Sequence, residues 1–249
     1  GNFTFRTIEF EQMEFQTFCK KGTDSEIYDE YKHYGMEFFQ YLGLDSEKLR
    51  FHDHEKLAHY AKEACDIEYL FPFGWGEING THNRTDFDLG RHQQYSGKSM
   101  EYFDDVTNEK YIPYIIESTY GVDRLFLAVL FENLHQEDIG EKDTRIVLNI
   151  KPALAPIKVN VLPLLKKKHG DMAKDIYKKL TKYMMVNYDE TGSIGKRYRR
   201  GDAIGIPFAI TIDDNTIENG VVTVRDRDTM EQQEISVEKL TQFLLDMVE

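Results

Sequence analysis

Ile115-Ile-Glu-Ser-Thr-Tyr-Gly-Val-Asp-Arg124 joins a strand-like run to a helix-like one through a single glycine. Apolar and aromatic residues lead into Gly121, and the apolar pattern from Val122 to Leu134 is that of a buried helix opening on Asp123 and Arg124. An arginine at a helix start opposes the helix dipole and invites an anionic partner. Far upstream, Phe5-Arg-Thr-Ile-Glu-Phe-Glu-Gln-Met-Glu14 places a second arginine, Arg6, four residues before Phe10. Phe3 to Phe10 alternates and is rich in Phe and Thr, so it reads as a strand that either continues or bends from about Glu11. Arginine presents a rigid fork of donors matched to phosphate and stays charged at any working pH, which suits Arg6 and Arg124 to an anion.

The 249 residues suffice for one large or two ordinary domains, and the apolar content of 41% is that of a globular chain. No run approaches the roughly 18 apolar residues of a membrane span. Two cysteines, Cys19 and Cys65, are too few for a disulfide framework or a structural zinc site, which points to a reducing, cytoplasmic setting. The net charge of −13 is unevenly spread: residues 155–249 hold 15 basic and 15 acidic residues, against 16 and 29 in residues 1–154. Basic residues bunch in the neutral part at Lys166–Lys168 and at Lys196-Arg-Tyr-Arg-Arg200, a face that a structured RNA can meet. The alternative for the first triplet is the solvated end of a strand.

Residues 24–43 carry apolar side chains at helical spacings and end at Gly43, a helix cap. A second helix is expected from Asp53 to Ala64. Ile67–Leu70, Gly74–Ile78 and Tyr111–Glu117 suit neighbouring strands of an antiparallel sheet, and Gly90 to Lys110 reads as a loop or insertion. Asp138-Ile-Gly-Glu-Lys-Asp143 is the best linker. Beyond it, strands at Lys158–Leu164, Met184–Tyr188, Pro207–Ile212 and Val221–Arg225 alternate with helices at Asp171–Tyr183, Ser193–Ala203 and Val237–Val248, which implies a small α/β layer.

With Gly74-Trp-Gly-Glu-Ile-Asn-Gly-Thr-His-Asn-Arg-Thr-Asp-Phe-Asp-Leu89 between them, the first two segments resemble motifs 2 and 3 of class II aminoacyl-tRNA synthetases, and the whole chain resembles glycyl-tRNA synthetases of the bacterial dimeric type. Ala153–Val159, Gly195–Arg200, Ile204–Phe208 and Thr223–Met230 resemble the anticodon-binding domain of that family. The resemblance implies an α+β fold: an antiparallel class II catalytic sheet with helices, incomplete at its N-terminus, in residues 1–150, then a small α/β anticodon-binding domain with a mixed sheet in 151–249. It implies a ligase that activates glycine with ATP and Mg2+ to glycyl-adenylate and transfers it to tRNA(Gly), as a homodimer when full-length. Arg6 and Arg124 are the implied catalytic pair. ATP is implied at Phe5, Arg6, Thr7, Ile8, Glu9 and Phe10, at Glu77 with Ile78, and at Gly121, Val122, Asp123 and Arg124. Glycine is implied at Phe10, Glu11, Gln12, Met13 and Glu14, at Arg84 for its carboxylate, and at Glu117, Ser118, Thr119, Tyr120 and Gly121. Lys196, Arg197, Arg199 and Arg200 are implied to meet tRNA; no metal ligands are identified.

Three departures stand out. Ile8 occupies a position where motif 2 usually has a second Arg, and Glu117-Ser118-Thr119 stands for the usual Glu-Pro-Ser. Motif 1 and the outgoing half of motif 2 are expected ahead of Asn2, and Gly1 stands where the family has an Arg, so the chain is expected to be a fragment with impaired activity. The competing function is a synthetase-like accessory or nucleic-acid-binding subunit that keeps the fold without the chemistry, like the glycyl-synthetase-related accessory subunit of mitochondrial DNA polymerase. Retention of Arg6, Glu14, Glu77, Arg84, Glu117 and Arg124 favours the enzyme. His52, His54 and His59 lack a fourth ligand and read as solvated or capping groups at a helix start, and Trp75 between two glycines reads as packing.

Overall fold

The computed structural model describes residues 3–140 and 143–248, which part into two compact units, one up to Glu132 and one from Asn133. The first is built on a five-stranded antiparallel sheet. Its strands are β1 (Gln12–Cys19), β2 (Leu49–Asp53), β3 (Glu63–Phe71), β4 (Gly74–Thr85) and, after the short β5 (Tyr102–Asp104) and β6 (Glu109–Tyr111), β7 (Tyr114–Gly121), in the order β1-β7-β4-β3-β2. Helix α1 (Asp24–Tyr41) and helix α3 (Val122–Asn133) bury one face of this sheet, with Phe39, Ile67, Tyr69, Ile78, Tyr120 and Ala128 in the core. Gly35 lets α1 lie close, since a β-carbon there would come within 2.8 Å of Ile67. The helix ends as its sequence requires, on Gly43 at φ +93°.

The second unit begins with a hairpin, β8 (Leu134–Gly140) and β9 (Asp143–Leu148), and continues into a mixed sheet. Strands β10 (Val159–Pro163), β11 (Val186–Tyr188), β12 (Phe208–Ile212), β13 (Val221–Asp226) and β14 (Gln232–Ser236) take the order β11-β10-β12-β13-β14, parallel on both sides of β10 and antiparallel beyond β12. Strands β10 and β12 are buried at every position, which explains their mostly apolar sequence, interrupted only by Asn160 and Thr211. Ala173, Ile176 and Leu180 of α4 (Lys166–Leu180) and Leu240 and Leu244 of α7 (Leu240–Val248) recur at three- and four-residue spacings and enter the same core. Helix α5 (Ile194–Ala203) and helix α6 (Asp214–Asn219) complete the unit, the latter opened by a reciprocal cap between Asp213 and Thr216.

Several elements differ from the sequence expectation. Phe3–Phe10 is not a strand: a short 3-10 turn at Phe3–Phe5 docks the Phe5 ring edge-on to Phe71, at 5.4 Å, and the ladder starts only at Gln12. The expected helix from Asp53 to Ala64 is absent, because cross-strand pairing prevails: Arg50 and His52 bond Glu68 and His54 bonds Asp66. The interval from Gly90 to Lys110 contains most of helix α2 (Phe87–Ser96), stopped by Gly97 at φ +69°, and the β5–β6 hairpin. The expected linker is the turn of the β8–β9 hairpin, of which Glu141 and Lys142 lie outside the described residues, as do Gly1 and Asn2. Arg145 ties that hairpin into the second unit. Its buried guanidinium bonds Asp202 at 3.0 Å and the Arg227 carbonyl at 2.7 Å, and Asp202 also receives Arg225 at 2.9 Å. Lys166–Lys168 open α4 rather than close a strand.

Candidate functional site

Strand alternation places the site. In β7, Ile116, Ser118 and Tyr120 face the core, so Glu117, Thr119 and Gly121 face away from it. The register sets Gln12, Glu14 and Gln16 of β1 beside Gly121, Thr119 and Glu117, and Gly80 and His82 of β4 beside Thr119 and Glu117. One polar sheet face results.

At one end of this face is a cavity of about 260 Å3, lined by Arg6, Phe10, Glu77, Thr119, Gly121 and Arg124 together with Thr4, Phe5, Thr7, Glu11, Gln12, Ile78 and Asp123. Arg124 projects from the first turn of α3 and is held on three sides. It donates to the Glu77 carbonyl and to the Phe5 carbonyl, each at 2.9 Å, pairs with the Glu77 carboxylate at 2.9 Å, and lies over the Phe5 ring. Gly121 makes this possible, since a β-carbon there would stand 3.2 Å from the Arg124 side chain. Arg6 is exposed and, among the described residues, bonds only its neighbour's carbonyl, at 3.3 Å, and Phe10 presents an open ring. Ile8 is fully exposed, and Ile8, Glu9 and Val122 lie off the lining, although the Val122 amide donates to the Glu11 carbonyl.

Further along the face is an acid–base cluster. Glu117, 8% exposed, receives Arg84 at 3.0 Å and the Gln16 amide at 2.8 Å, with His82 at 3.8 Å. The His82 imidazole beside it, aided by Arg84 and Gln16 against the effect of burial, holds the Glu117 carboxyl below its ordinary range. Gln16 also reaches Glu14 at 3.1 Å, linking the two acids. Arg84 is clamped from behind by Asp88 at 2.7 Å and by the Tyr60 ring at 4.4 Å. Ser118 and Tyr120 point the other way: Ser118 bonds Asn79 and Thr81 in the core, and Tyr120 packs on Phe38 and Phe39. Met13 shares that opposite side.

The fold thus gathers the arginines and Phe10 at one end and Glu14, Arg84 and Glu117 at the other. Sequence reasoning missed Gln16, His82 and Asp88. Period-two spacing from Glu14 signals Gln16, and the i,i+4 relation of Arg84 to Asp88 is legible in the same way. His52 and His54 sit on and just after β2 in cross-strand pairs, His59 meets the Phe87 ring edge-on, and no cluster fit for a metal occurs among the described residues. Trp75 carries Arg50 on its face, at 4.1 Å.

In the second unit the basic run on α5 divides. Lys196, Arg199 and Arg200 are exposed, with Arg199 paired to Asp143 and Arg200 to Asp189. Arg197 is 4% exposed and turned inward, donating to the carbonyls of Pro163 at 2.6 Å and Gly192 at 3.1 Å. It clasps two loops.

Residues 155–247 match the anticodon binding domain family. Along its length the chain is 52% identical to the glycine–tRNA ligase of Clostridium acetobutylicum over 98% of its residues and 53% of that protein. It is 51% identical to that of Clostridium tetani over 100% of its residues and 54% of that protein, and 52% identical to that of Geobacillus thermodenitrificans over 98% and 53%. The chain spans about half the length of the curated relatives it matches. By these matches the chain is similar, over essentially all of its residues, to glycine–tRNA ligases, and most of its second unit matches the anticodon binding domain family.

Proposed function

We propose that the sheet face of the first unit is the ATP and glycine site of a glycine–tRNA ligase, with tRNA(Gly) bound in part by the second unit. In the first step the glycine carboxylate attacks the α-phosphate of ATP, giving glycyl-adenylate and pyrophosphate. The ribose hydroxyl at the end of the tRNA then takes the glycyl group and releases AMP. A carboxylate is already a nucleophile, so the first step needs no general base; two anions must be brought together and the added charge at phosphorus offset. Arg124, fixed on three sides, and Arg6, free at the cavity mouth, are assigned that work, and Phe10 offers its ring to adenine.

The observation that carries the reading is the Glu117–Arg84 pair on the same face as the arginine-lined cavity. Adjacent opposite charges match a zwitterion: Glu117, with Glu14 behind Gln16, for the ammonium, and Arg84 for the carboxylate. Glycine selectivity follows from crowding by the Thr119 methyl and the neighbouring backbone, since forcing in a further methyl costs about 1–3 kcal/mol. Mg2+ is proposed to arrive with the nucleotide. Glu77, already bonded to Arg124, and the other acids of the cavity form no cage of their own.

Residues 1–150 are assigned to catalysis and 151–249 to anticodon binding, with Lys196, Arg199 and Arg200 offered to tRNA phosphates and Arg197 reserved for structure. No helix among the described residues is long and apolar enough to cross a membrane. Glycine-dependent ATP–pyrophosphate exchange by the protein that contains this chain tests the proposal. Exchange that needs glycine and is lost in Arg124→Ala supports it, whereas binding of nucleic acid without any exchange would indicate the accessory-subunit function instead.

A further inference from the structure

We propose that Asn83 is a positioning residue that holds a strained turn and thereby aims Arg84 at the amino acid; the inference rests on the assignment of Arg84 to the glycine carboxylate. In the β4–β7 ladder Asn83 stands opposite Ile116 and Thr85 opposite Ile115, so Arg84 is an extra residue with no partner across the ladder. Such a bulge bends its strand and re-aims the side chain it carries. The bend is completed by Thr85 at φ +56°, a left-handed conformation that L-residues rarely adopt and that is least suited to a β-branched one. Strain of this kind persists only where the surroundings impose it.

Asn83 imposes it. Its side chain is fully buried, and its Oδ1 accepts the Thr85 amide at 3.2 Å. Its Nδ2 donates to Asp24 Oδ2 at 2.8 Å and to Glu63 Oε2 at 2.9 Å. Two carboxylates on one side of the amide fix its orientation: reversed, it would set oxygen against oxygen and nitrogen against a backbone N–H. Lys62 closes the network, its ammonium 2.8 Å from the same Asp24 oxygen and its backbone amide on the Asn83 carbonyl at 2.8 Å. Because Asn83 is inaccessible it cannot touch a ligand itself. Its influence passes through Thr85 to the neighbouring Arg84, whose contacts with Glu117 and Asp88 depend on where its Cα is placed.

The test is the glycine and ATP dependence of exchange by the protein that contains this chain. Asn83→Ala is expected to raise the glycine KM by about 10-fold or more and to leave the ATP KM within about 2-fold, since a small displacement of a binding group is costly only for the substrate it holds. Adding Thr85→Gly should return the glycine KM to within about 3-fold of the unsubstituted protein, because glycine adopts a positive φ without support. A residue needed merely for stability would show no such rescue. Where Asn83→Ala does not fold, the Asn83→Ala/Thr85→Gly protein is read alone: near-normal glycine KM supports the inference and a 10-fold rise overturns it. Arg84→Ala separates the two levels. If it raises the glycine KM while Asn83→Ala leaves it unchanged, the positioning role is wrong and the site assignment stands; if Arg84→Ala leaves it unchanged, both fall.

Discussion

The Nη2 of Arg124 donates to the carbonyl of Phe5 at 2.9 Å while the guanidinium lies over the Phe5 ring, 5.0 Å from its centroid. One side chain therefore supplies both charge to the cavity and a clasp for the segment that covers it. Arg124→Ala is expected to lower glycine-dependent exchange by at least about 100-fold, the scale of losing one preorganised charge contact. Arg124→Lys keeps the charge but cannot span the Phe5 and Glu77 carbonyls together, so it should recover only part of the rate. Steady-state exchange at saturating and limiting ATP measures both, and activity within a few-fold of wild type for the alanine variant would remove Arg124 from the site.

Glu117 and Glu14 are linked through Gln16 but differ in burial, and their substitutions should differ accordingly. Glu117→Gln removes the largely buried carboxylate assigned to the ammonium, and losing one partner of such a charge contact costs about 2–5 kcal/mol, equivalent to a rise of about 30-fold or more in the glycine requirement. Glu14→Gln, at an exposed site, should have a smaller effect of the same kind. Initial rates over glycine and ATP concentration give the answer, and equal effects on the two substrates would mean that these acids do not meet the ammonium.

Arg197 and its neighbours on α5 should separate stability from RNA binding. Arg197→Ala leaves the buried Pro163 carbonyl without this donor and frees the Gly192 carbonyl, an expected loss of about 1–3 kcal/mol in stability, visible as a lowered unfolding midpoint. Changing Lys196, Arg199 and Arg200 together should leave the midpoint nearly unchanged and flatten the salt dependence of tRNA binding, since each lost phosphate contact lowers the number of released counterions. An unaltered salt slope in the triple variant would place the RNA surface elsewhere.

Asp24 supplies a pH signature. Burial alone would raise its carboxyl, but Lys62, Asn83 and the Gly22 amide outweigh it and hold the group well below its ordinary value of 3.8. A depressed folded value means that the stabilisation is fully present above the ordinary value and is lost as pH falls toward the folded one. Asp24→Asn is therefore expected to lower stability at neutral pH and to shrink its further decline below about pH 4. Chemical unfolding across that range is the measurement, and an unchanged acid limb would show that Asp24 is not the titrating group.

The junction at Gly121 was legible because the apolar period changes there from two to about three and a half, and the buried strands of the second unit because apolar residues dominate them, broken only by Asn160 in β10 and Thr211 in β12. Residues 3–10 misled because their alternation serves to dock one ring, Phe5, and not to fill a ladder. The Leu49–Asp53 strand was hidden because its partners, Asp66 and Glu68, are remote in sequence. In the site, the arginines and acids stood out by charge, whereas the bulge at Arg84 depends on Asn83 meeting Asp24 and Glu63, which no local pattern records. Arg197 looked like its neighbours, yet Ile194, Arg197 and Gly201 fall on one helical stripe and so give its inward turn away.

The mode of attachment of residues 3–11 has a thermodynamic consequence. None of residues 6–11 belongs to the sheet ladder, and the segment is held over the cavity mainly by the Phe5 ring and the grip of Arg124. If nucleotide fills the cavity as proposed, its occupancy and the closure of this segment are linked equilibria. A nucleotide that touches Arg6 and Arg124 draws on the same groups that keep the segment closed, so its apparent affinity is lowered by whatever fraction of molecules has the segment open. Conversely, bound nucleotide should slow amide hydrogen exchange in residues 3–11 more than in the β3–β4 core, whose paired and largely buried strands should open least even without nucleotide.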